Sequence, residues 1–223
     1  MFEVESDDVS DEAIELYFWT TPNGFKISIM LEELAVPYTE HLVDIDKGQQ
    51  FAPEFLKISP NNRIPAIVDP EGPDGQPLAI FESGAILQYL GRKYSAFYPT
   101  SERRKAEVDQ WLFWQVGGLG PMSGQCLHFR KYAKTSVAYG IERYTAEVAR
   151  LYNVLETRLS GRDYIVDEYS IADIACFPWI RRAPELAQDL SLYPNIAAWF
   201  ARLAARPAVI RGLAAGQTVK SPQ

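Results

Sequence analysis

The 223-residue chain reads as two units in series, a small α/β domain followed by a domain built only of helices. Two observations predict this. Through residues 13–94, short apolar strand-like runs alternate with helical stripes in the order β-α-β-α-β-β-α. Beyond residue 100 every patterned stretch has a helical period and no strand run appears. The segment between them, Ser95-Ala96-Phe97-Tyr98-Pro99-Thr100, has no period and suits a linker.

Residues 1–12 are polar and strongly acidic and read as a solvated tail. Ile14 to Phe18 (IELYF) is a short strand, and Thr20-Thr21-Pro22-Asn23-Gly24 is a turn. Ile27, Met30, Leu31 and Leu34 then recur at helical spacing, with Pro37 just past the end. A second strand fits Tyr38 to Val43, and Pro53 to Lys57 is a short helix. Arg63 to Asp69 enters a third strand at Pro65. Gly72-Pro73-Asp74-Gly75 turns the chain into a fourth strand, Leu78 to Phe81. Glu82-Ser83-Gly84 opens a helix through Tyr94 with Ile86, Leu87 and Leu90 on one face.

In the second unit, residues 101–115, 140–160, 171–182 and 194–205 read as helices. The run Gly117-Gly118-Leu119-Gly120-Pro121 is expected to break or kink the first of them. Ser170-Ile171-Ala172-Asp173 is a capping-box start, where two side-chain acceptors meet orphan backbone donors. The helical domain is expected over 101–210, leaving 211–223 as a C-terminal tail.

The net charge of -7 belongs to the leader. Seven acids and no base fall within the first fifteen residues, and the rest of the chain carries 22 of each sign. Without a basic stripe, a nucleic-acid partner is not expected. No apolar run approaches the roughly 20 residues of a membrane span, and the N-terminus lacks the basic and apolar regions of a targeting peptide. The two cysteines, Cys126 and Cys176, are far apart, which disfavours a disulfide framework and a cysteine zinc site. His41 and His128 suggest neither a metal site nor a triad. The default expectation is a cytoplasmic protein with no metal.

Four blocks carry a resemblance: Thr21-Pro22-Asn23-Gly24 with Lys26-Ile27; Ser59-Pro60-Asn61-Asn62-Arg63-Ile64-Pro65-Ala66-Ile67-Val68-Asp69; Phe81-Glu82-Ser83-Gly84-Ala85-Ile86-Leu87; and Gln110-Trp111-Leu112-Phe113-Trp114-Gln115-Val116-Gly117-Gly118-Leu119-Gly120-Pro121-Met122. In this order, over about Ile14 to Arg206, they resemble the glutathione transferases. Within these they look like the bacterial nu class, close to the fungal glutathione-transferase-like nitrogen regulator. The resemblance implies a thioredoxin-like, glutathione-binding domain over 13–94, the helical domain after it, and a homodimer.

In thioredoxin-like folds the turn after the first strand usually holds a reactive cysteine, and here it reads Thr21-Pro22-Asn23-Gly24. The resemblance therefore implies that the sulfur arrives on glutathione, a co-substrate. Lowering a thiol pKa by about two units takes roughly 2.7 kcal/mol. One hydrogen bond to the charged thiolate gives about 1.5–3 kcal/mol, and a helix N-terminus adds about 0.3–1. The Thr21 hydroxyl or the Asn23 amide, as catalytic groups, suffices. In isolation both residues read as helix caps. Thr20 is the competing hydroxyl, and Tyr17 is read as strand packing.

The same resemblance places Ile64, before a cis-proline, against the cysteinyl backbone of glutathione. Ser83 and the following helix start hold the γ-glutamyl carboxylate, Glu82 takes its ammonium, and Gln50 and Arg63 lie near the glycyl end, although both also read as ordinary loop residues. Arg143 matches an arginine directed at the site from the helical domain, against the ordinary reading of a surface ion-pair residue. Gln110 is carried over as reaching the neighbouring subunit's site. Cys126 is either pocket lining or a buried thiol, Cys176 is core, and Trp111, Phe113 and Trp114 are core or interface aromatics.

The leading functional expectation is glutathione-dependent reduction of small disulfides, in which a second glutathione resolves the mixed disulfide. The alternatives are conjugation of glutathione to electrophiles or peroxide reduction, and a non-catalytic glutathione-binding regulator. The two halves differ in sign. Residues 101–223 carry 16 bases and 12 acids, and the first hundred carry six and 17.

Overall fold

In a computed structural model, residues 13–217 are described. The expected acidic tail, residues 1–12, and residues 218–223 of the expected C-terminal tail lie outside the described residues. β1 (Ile14–Phe18) alternates because Ile14, Leu16 and Phe18 face the core. It pairs in parallel with β2 (Tyr38–Leu42), Leu16 opposite Glu40, and antiparallel with β3 (Ala66–Asp69), Leu16 opposite Ile67. β3 pairs antiparallel with β4 (Leu78–Phe81), giving the sheet order β2-β1-β3-β4.

The helices of this half are α1 (Pro22–Leu34), α2 (Pro53–Ile58) and α3 (Ser83–Lys93). α1 is buried along most of its length because the sheet covers one side and the helical domain the other. Asp69, buried at the end of β3, accepts from Tyr89 and Lys93 of α3, both at 2.5 Å, pinning that helix to the sheet. The linker is no free spacer. Phe97 adopts φ 59°, and its carbonyl accepts from the Ile171 backbone N–H at 2.9 Å.

The helical domain contains α4 (Glu102–Trp114), α5 (Gly120–Leu127), α6 (Ala138–Leu159), α7 (Ile171–Ile180), α8 (Pro194–Ala204) and α9 (Pro207–Ala214). Two expectations are refined. The glycine run interrupts the regular α ladder at Trp114 without ending the helical path. Gln115–Leu119 forms a wider π-type turn that leads straight into α5, with Pro121 in the first turn of that helix. A π turn is where a ladder with a missing donor is re-registered, so Pro121 costs less there than in a regular interior. The expected tail from 211 onward is wrong at its start, because Arg211 to Ala214 complete α9.

α9 is held against α1 by close approach. Ser28 Oγ donates to the Gly212 carbonyl at 2.7 Å, Arg206 makes a two-pronged pair with Glu33 at 2.6 and 2.8 Å, and Arg211 meets Glu32 at 2.5 Å. A Cβ at Gly212 would lie 2.6 Å from the Ile29 Cα and 2.7 Å from its nitrogen. Backbone cannot yield as a side chain can. Gly212→Ala is therefore expected to cost about 1–3 kcal/mol by forcing the two helices apart, read as a lowered chemical-denaturation midpoint. A midpoint equal to the parent's would mean the approach is not tight.

Candidate functional site

The two domains meet along a cleft with two lobes. The inner lobe, about 370 Å³, is lined by Asn23, Lys26, Ile64, Ser83, Gln115 and Trp179 among others. The outer lobe, about 700 Å³, is bordered by Thr21, Gln50, Arg63, Tyr132 and Arg182. Asn23, Arg63, Ile64, Gly124 and Trp179 wall both lobes, so the cleft is continuous.

The corner between the lobes is the N-terminus of α1. Thr21 caps the helix, its Oγ1 accepting from the Gly24 backbone N–H at 3.2 Å. A cap uses a lone pair and leaves the hydroxyl proton available. The two sequence readings of Thr21, cap and donor, are thus compatible in one side chain. Gly24 permits the tight turn, since a Cβ there would sit 2.2 Å from the Trp19 carbonyl oxygen.

Asn23 is oriented from the other domain. The indole Nε1 of Trp179, on α7, donates to Asn23 Oδ1 at 3.0 Å. An indole N–H only donates, so the amide oxygen must face Trp179 and the amide NH2 is left for the cleft. Trp179 was not legible as a site residue: it sits in the apolar run of α7, and its partner is 156 residues away.

Opposite this corner, the Ile64–Pro65 peptide is cis, and Ile64 lines both lobes. Glu82 stands immediately before α3 with φ 71°, a conformation disfavoured for a side-chain-bearing residue. Its carboxylate accepts from the Asn61 amide at 3.5 Å. Ser83 is the first residue of α3, so its hydroxyl and the neighbouring orphan N–H groups share one corner of the inner lobe. Gln50 presents a buried side-chain oxygen with no partner among the described residues, bordering the outer lobe.

Thr21, Asn23, Gln50, Arg63, Ile64, Glu82 and Ser83 therefore converge on one cleft. Arg143 and Gln110 do not. Within the chain, Arg143 lines a separate groove of about 640 Å³ on α6, with Met122, Tyr139, Glu147 and Arg150. The arginine expected to point toward the site from the helical domain is exposed within one chain, beside the Glu147–Arg150 pair that closes at 2.7 Å. Gln110 is an exposed residue of α4 and borders neither lobe.

Thr20 is exposed and also borders the outer lobe. Tyr17 stacks on His41 with ring centroids 4.5 Å apart, and His41 pairs with Glu15, so both belong to the sheet surface. Cys126 and Cys176 are fully buried. The Cys126 sulfur lies 3.7 Å from Thr145 Oγ1, and burial pushes the Cys176 thiol up, away from reactivity. Phe113 is 63% exposed and is not core within one chain. Among the described residues no cluster of His, Cys, Asp or Glu has a metal-binding arrangement, and no helix is long and apolar enough to cross a membrane.

Lys26 and Gln115 complete the inner lobe and had no site signal in the sequence. Lys26 looks like the polar face of α1, yet it is buried and donates to Ser83 Oγ at 3.2 Å and Gln115 Oε1 at 2.6 Å. Gln115 lies in the π-type turn, and its Nε2 is buried without a partner among the described residues. The lobes thus offer outward-facing donors at Asn23 and Ser83, a carboxylate at Glu82, and Arg63 and Arg182 at the outer rim.

Comparison with known proteins agrees with this architecture. The family model for the glutathione S-transferase N-terminal domain matches residues 12–92, and that for the C-terminal domain matches residues 141–207. The chain is 51% identical over 206 residues to the disulfide-bond oxidoreductase YfcG of Escherichia coli, covering 92% of this chain and 96% of that protein. A glutathione transferase from Burkholderia graminis, solved with two glutathione molecules per subunit, superposes with a TM-score of 0.88 at 46% identity, over 95% of this chain and 91% of that one. A glutathione transferase from Pseudomonas putida, solved with one glutathione disulfide per subunit, gives a TM-score of 0.88 at 43% identity, over 94% of both chains.

Proposed function

Because the chain belongs to the glutathione S-transferase family, we propose that it is a glutathione-dependent disulfide-bond oxidoreductase whose reacting sulfur comes from bound glutathione. One observation carries the reading: the reactive corner of the cleft presents a hydroxyl and an oriented amide but no protein thiol, both cysteines being buried elsewhere. The residues fit a tripeptide thiol. Ser83 and the start of α3 take the γ-glutamyl carboxylate, and Glu82 takes the ammonium. Ile64 pairs with the cysteinyl backbone, the unpartnered Gln50 oxygen accepts from the glycyl N–H, and Arg63 serves the glycyl carboxylate.

Thr21 and Asn23 donate to the sulfur and stabilise the thiolate. The thiolate attacks one sulfur of a small disulfide, forming a new S–S bond as the old one breaks; the leaving thiolate takes a proton from water. A second glutathione thiolate then attacks the mixed disulfide, releasing the second thiol and leaving glutathione disulfide, so two glutathiones are oxidised for each disulfide reduced. The outer lobe, bordered by Arg63, suits a carboxylate of that second molecule, whereas Arg182 there is already paired with Glu185.

The Thr21-Pro22-Asn23 turn supports assignment to the nu class. Exposed Phe51 and Phe113, the former 58% exposed, support a homodimer. In that dimer Gln110 is the residue proposed to reach the neighbouring site. A supply of reduced glutathione and two unpaired cysteines support a cytoplasmic location.

The test is turnover of 2-hydroxyethyl disulfide with glutathione by the parent, Thr21→Ser and Thr21→Ala. The serine variant is expected to retain activity within severalfold, and the alanine variant to lose at least tenfold, the weight of one charge-assisted hydrogen bond. Equal activity in the alanine variant would remove Thr21 from the mechanism. Strong aryl-halide conjugation without disulfide reduction by the parent would overturn the reaction assigned.

A further inference from the structure

Lys26 is a buried cation without an anion. It is 1% exposed, forms no ion pair among the described residues, and spends two of its three N–H donors on the neutral acceptors Ser83 Oγ and Gln115 Oε1. Buried lysines are rarely left unneutralised. The charges around it are few. Glu82, before α3, acts on it through space, and the buried Cys176 thiol of α7 stays protonated and carries no charge. Asp173 of α7 is held by Ser170, Ile165 and Trp199. Arg206, just before α9, and Arg211 within it are taken by Glu33 and Glu32, and Glu15 of β1 by His41.

Its geometry also sets the hydroxyl beside it. Because Lys26 donates to Ser83 Oγ, the serine must turn its own proton elsewhere, and the inner lobe is the open side. We propose that Lys26 is the positioning cation of the γ-glutamyl subsite, acting through Ser83, so that a carboxylate bound at Ser83 draws a proton onto Lys26. The proposal rests on the reading that Ser83 receives that carboxylate.

Burial lowers the Lys26 ammonium to about 7, partly opposed by the Glu82 carboxylate, so without a ligand it is close to half protonated at neutral pH. An arriving carboxylate favours the charged form. Binding above that pKa must then take up a proton, and affinity must fall as pH rises. The same cation holds Gln115 of the π-type turn in the helical domain, so loss of its charge weakens the tie between the subsite and that domain.

The experiment is calorimetric titration with S-methylglutathione, which has no ionisable thiol, between pH 6 and 8 in two buffers of different protonation enthalpy. The parent is expected to take up almost no proton at pH 6 and most of one at pH 8, with affinity about tenfold weaker at the higher pH. Lys26→Met is expected to bind with no such uptake and a flat pH profile. Lys26→Arg keeps its charge throughout and is expected to bind without uptake. If Lys26→Met fails to fold, the arginine variant decides. Absence of uptake in the parent, or parental uptake in either variant, overturns the assignment. Unaltered affinity in Ser83→Ala instead overturns the carboxylate reading beneath it.

Discussion

Asn23→Ala is expected to lower kcat/KM for glutathione-dependent disulfide reduction about a hundredfold, mostly through the thiolate and not through binding of the tripeptide. In the proposed reaction the amide makes one charge-assisted hydrogen bond to the sulfur, worth about 1.5–3 kcal/mol, which at each 1.4 kcal/mol per tenfold spans roughly one to two decades. The higher figure is expected because Trp179 pre-orients the amide. The donor waits in position, so little is spent on aligning it. Trp179→Phe keeps most of the aromatic packing and removes only the indole N–H, so Asn23 is free to turn its oxygen toward the thiolate. About a tenfold loss is expected there, and none beyond it in the Asn23→Ala background, since the two act through one bond. The ultraviolet absorbance of the bound thiolate, titrated against pH, separates this from a folding defect. In Asn23→Ala the bound thiol should titrate closer to the free value near 8.5. Parental titration in both variants would leave Thr21 as the sole donor.

How much of the molecule is legible in its sequence depends on range. The strand periods, the Thr21 turn and the capping box at Ser170 are local patterns, and each appears at its expected place because the groups that satisfy it lie within a few residues. The resemblance supplied the residues of the first domain that converge on the cleft. The expectations that were refined depend on distant packing. Arg143 is expected at the site from the resemblance alone, and within one chain α6 places it in a separate groove. The Gly117–Pro121 run is expected to break or kink the helix, and its interruption takes the form of a π-type turn because that geometry tolerates a missing donor. α9 is hidden behind its short length, and the close approach of Gly212 to Ile29 is visible only once α1 is in place. Lys26 and Trp179 give no signal for the same reason. Their meaning lies in partners 57 and 156 residues away.

Asp173→Ala is expected to lower the unfolding free energy by about 3–5 kcal/mol, among the larger single-residue effects a soluble domain shows. Asp173 is fully buried and accepts from four donors: Ser170 N at 3.0 Å, Ser170 Oγ at 3.2 Å, Ile165 N at 2.9 Å and Trp199 Nε1 at 2.8 Å. Removing it strands at least three buried donors, each costing about 1–3 kcal/mol, and undoes the cap of α7, the helix that carries Trp179 to the cleft. Stability and the site therefore share this residue, and residual activity should fall with the folded fraction. The pH dependence has a definite sign. Burial raises the Asp173 carboxyl to about 6, against the donors that pull it down. The folded state thus holds this proton more tightly than the unfolded chain, whose aspartates titrate near 3.9. Between about pH 4 and 6 the unfolded state binds fewer protons, so the contribution of this group is present at low pH and is lost as pH rises through 6. Asp173→Asn keeps an oxygen for part of the donor set, so it should cost less than alanine and flatten the stability profile across that window. Chemical denaturation at pH 4.5 and 7 measures both quantities. A profile unchanged in the asparagine variant would assign the slope to other carboxylates.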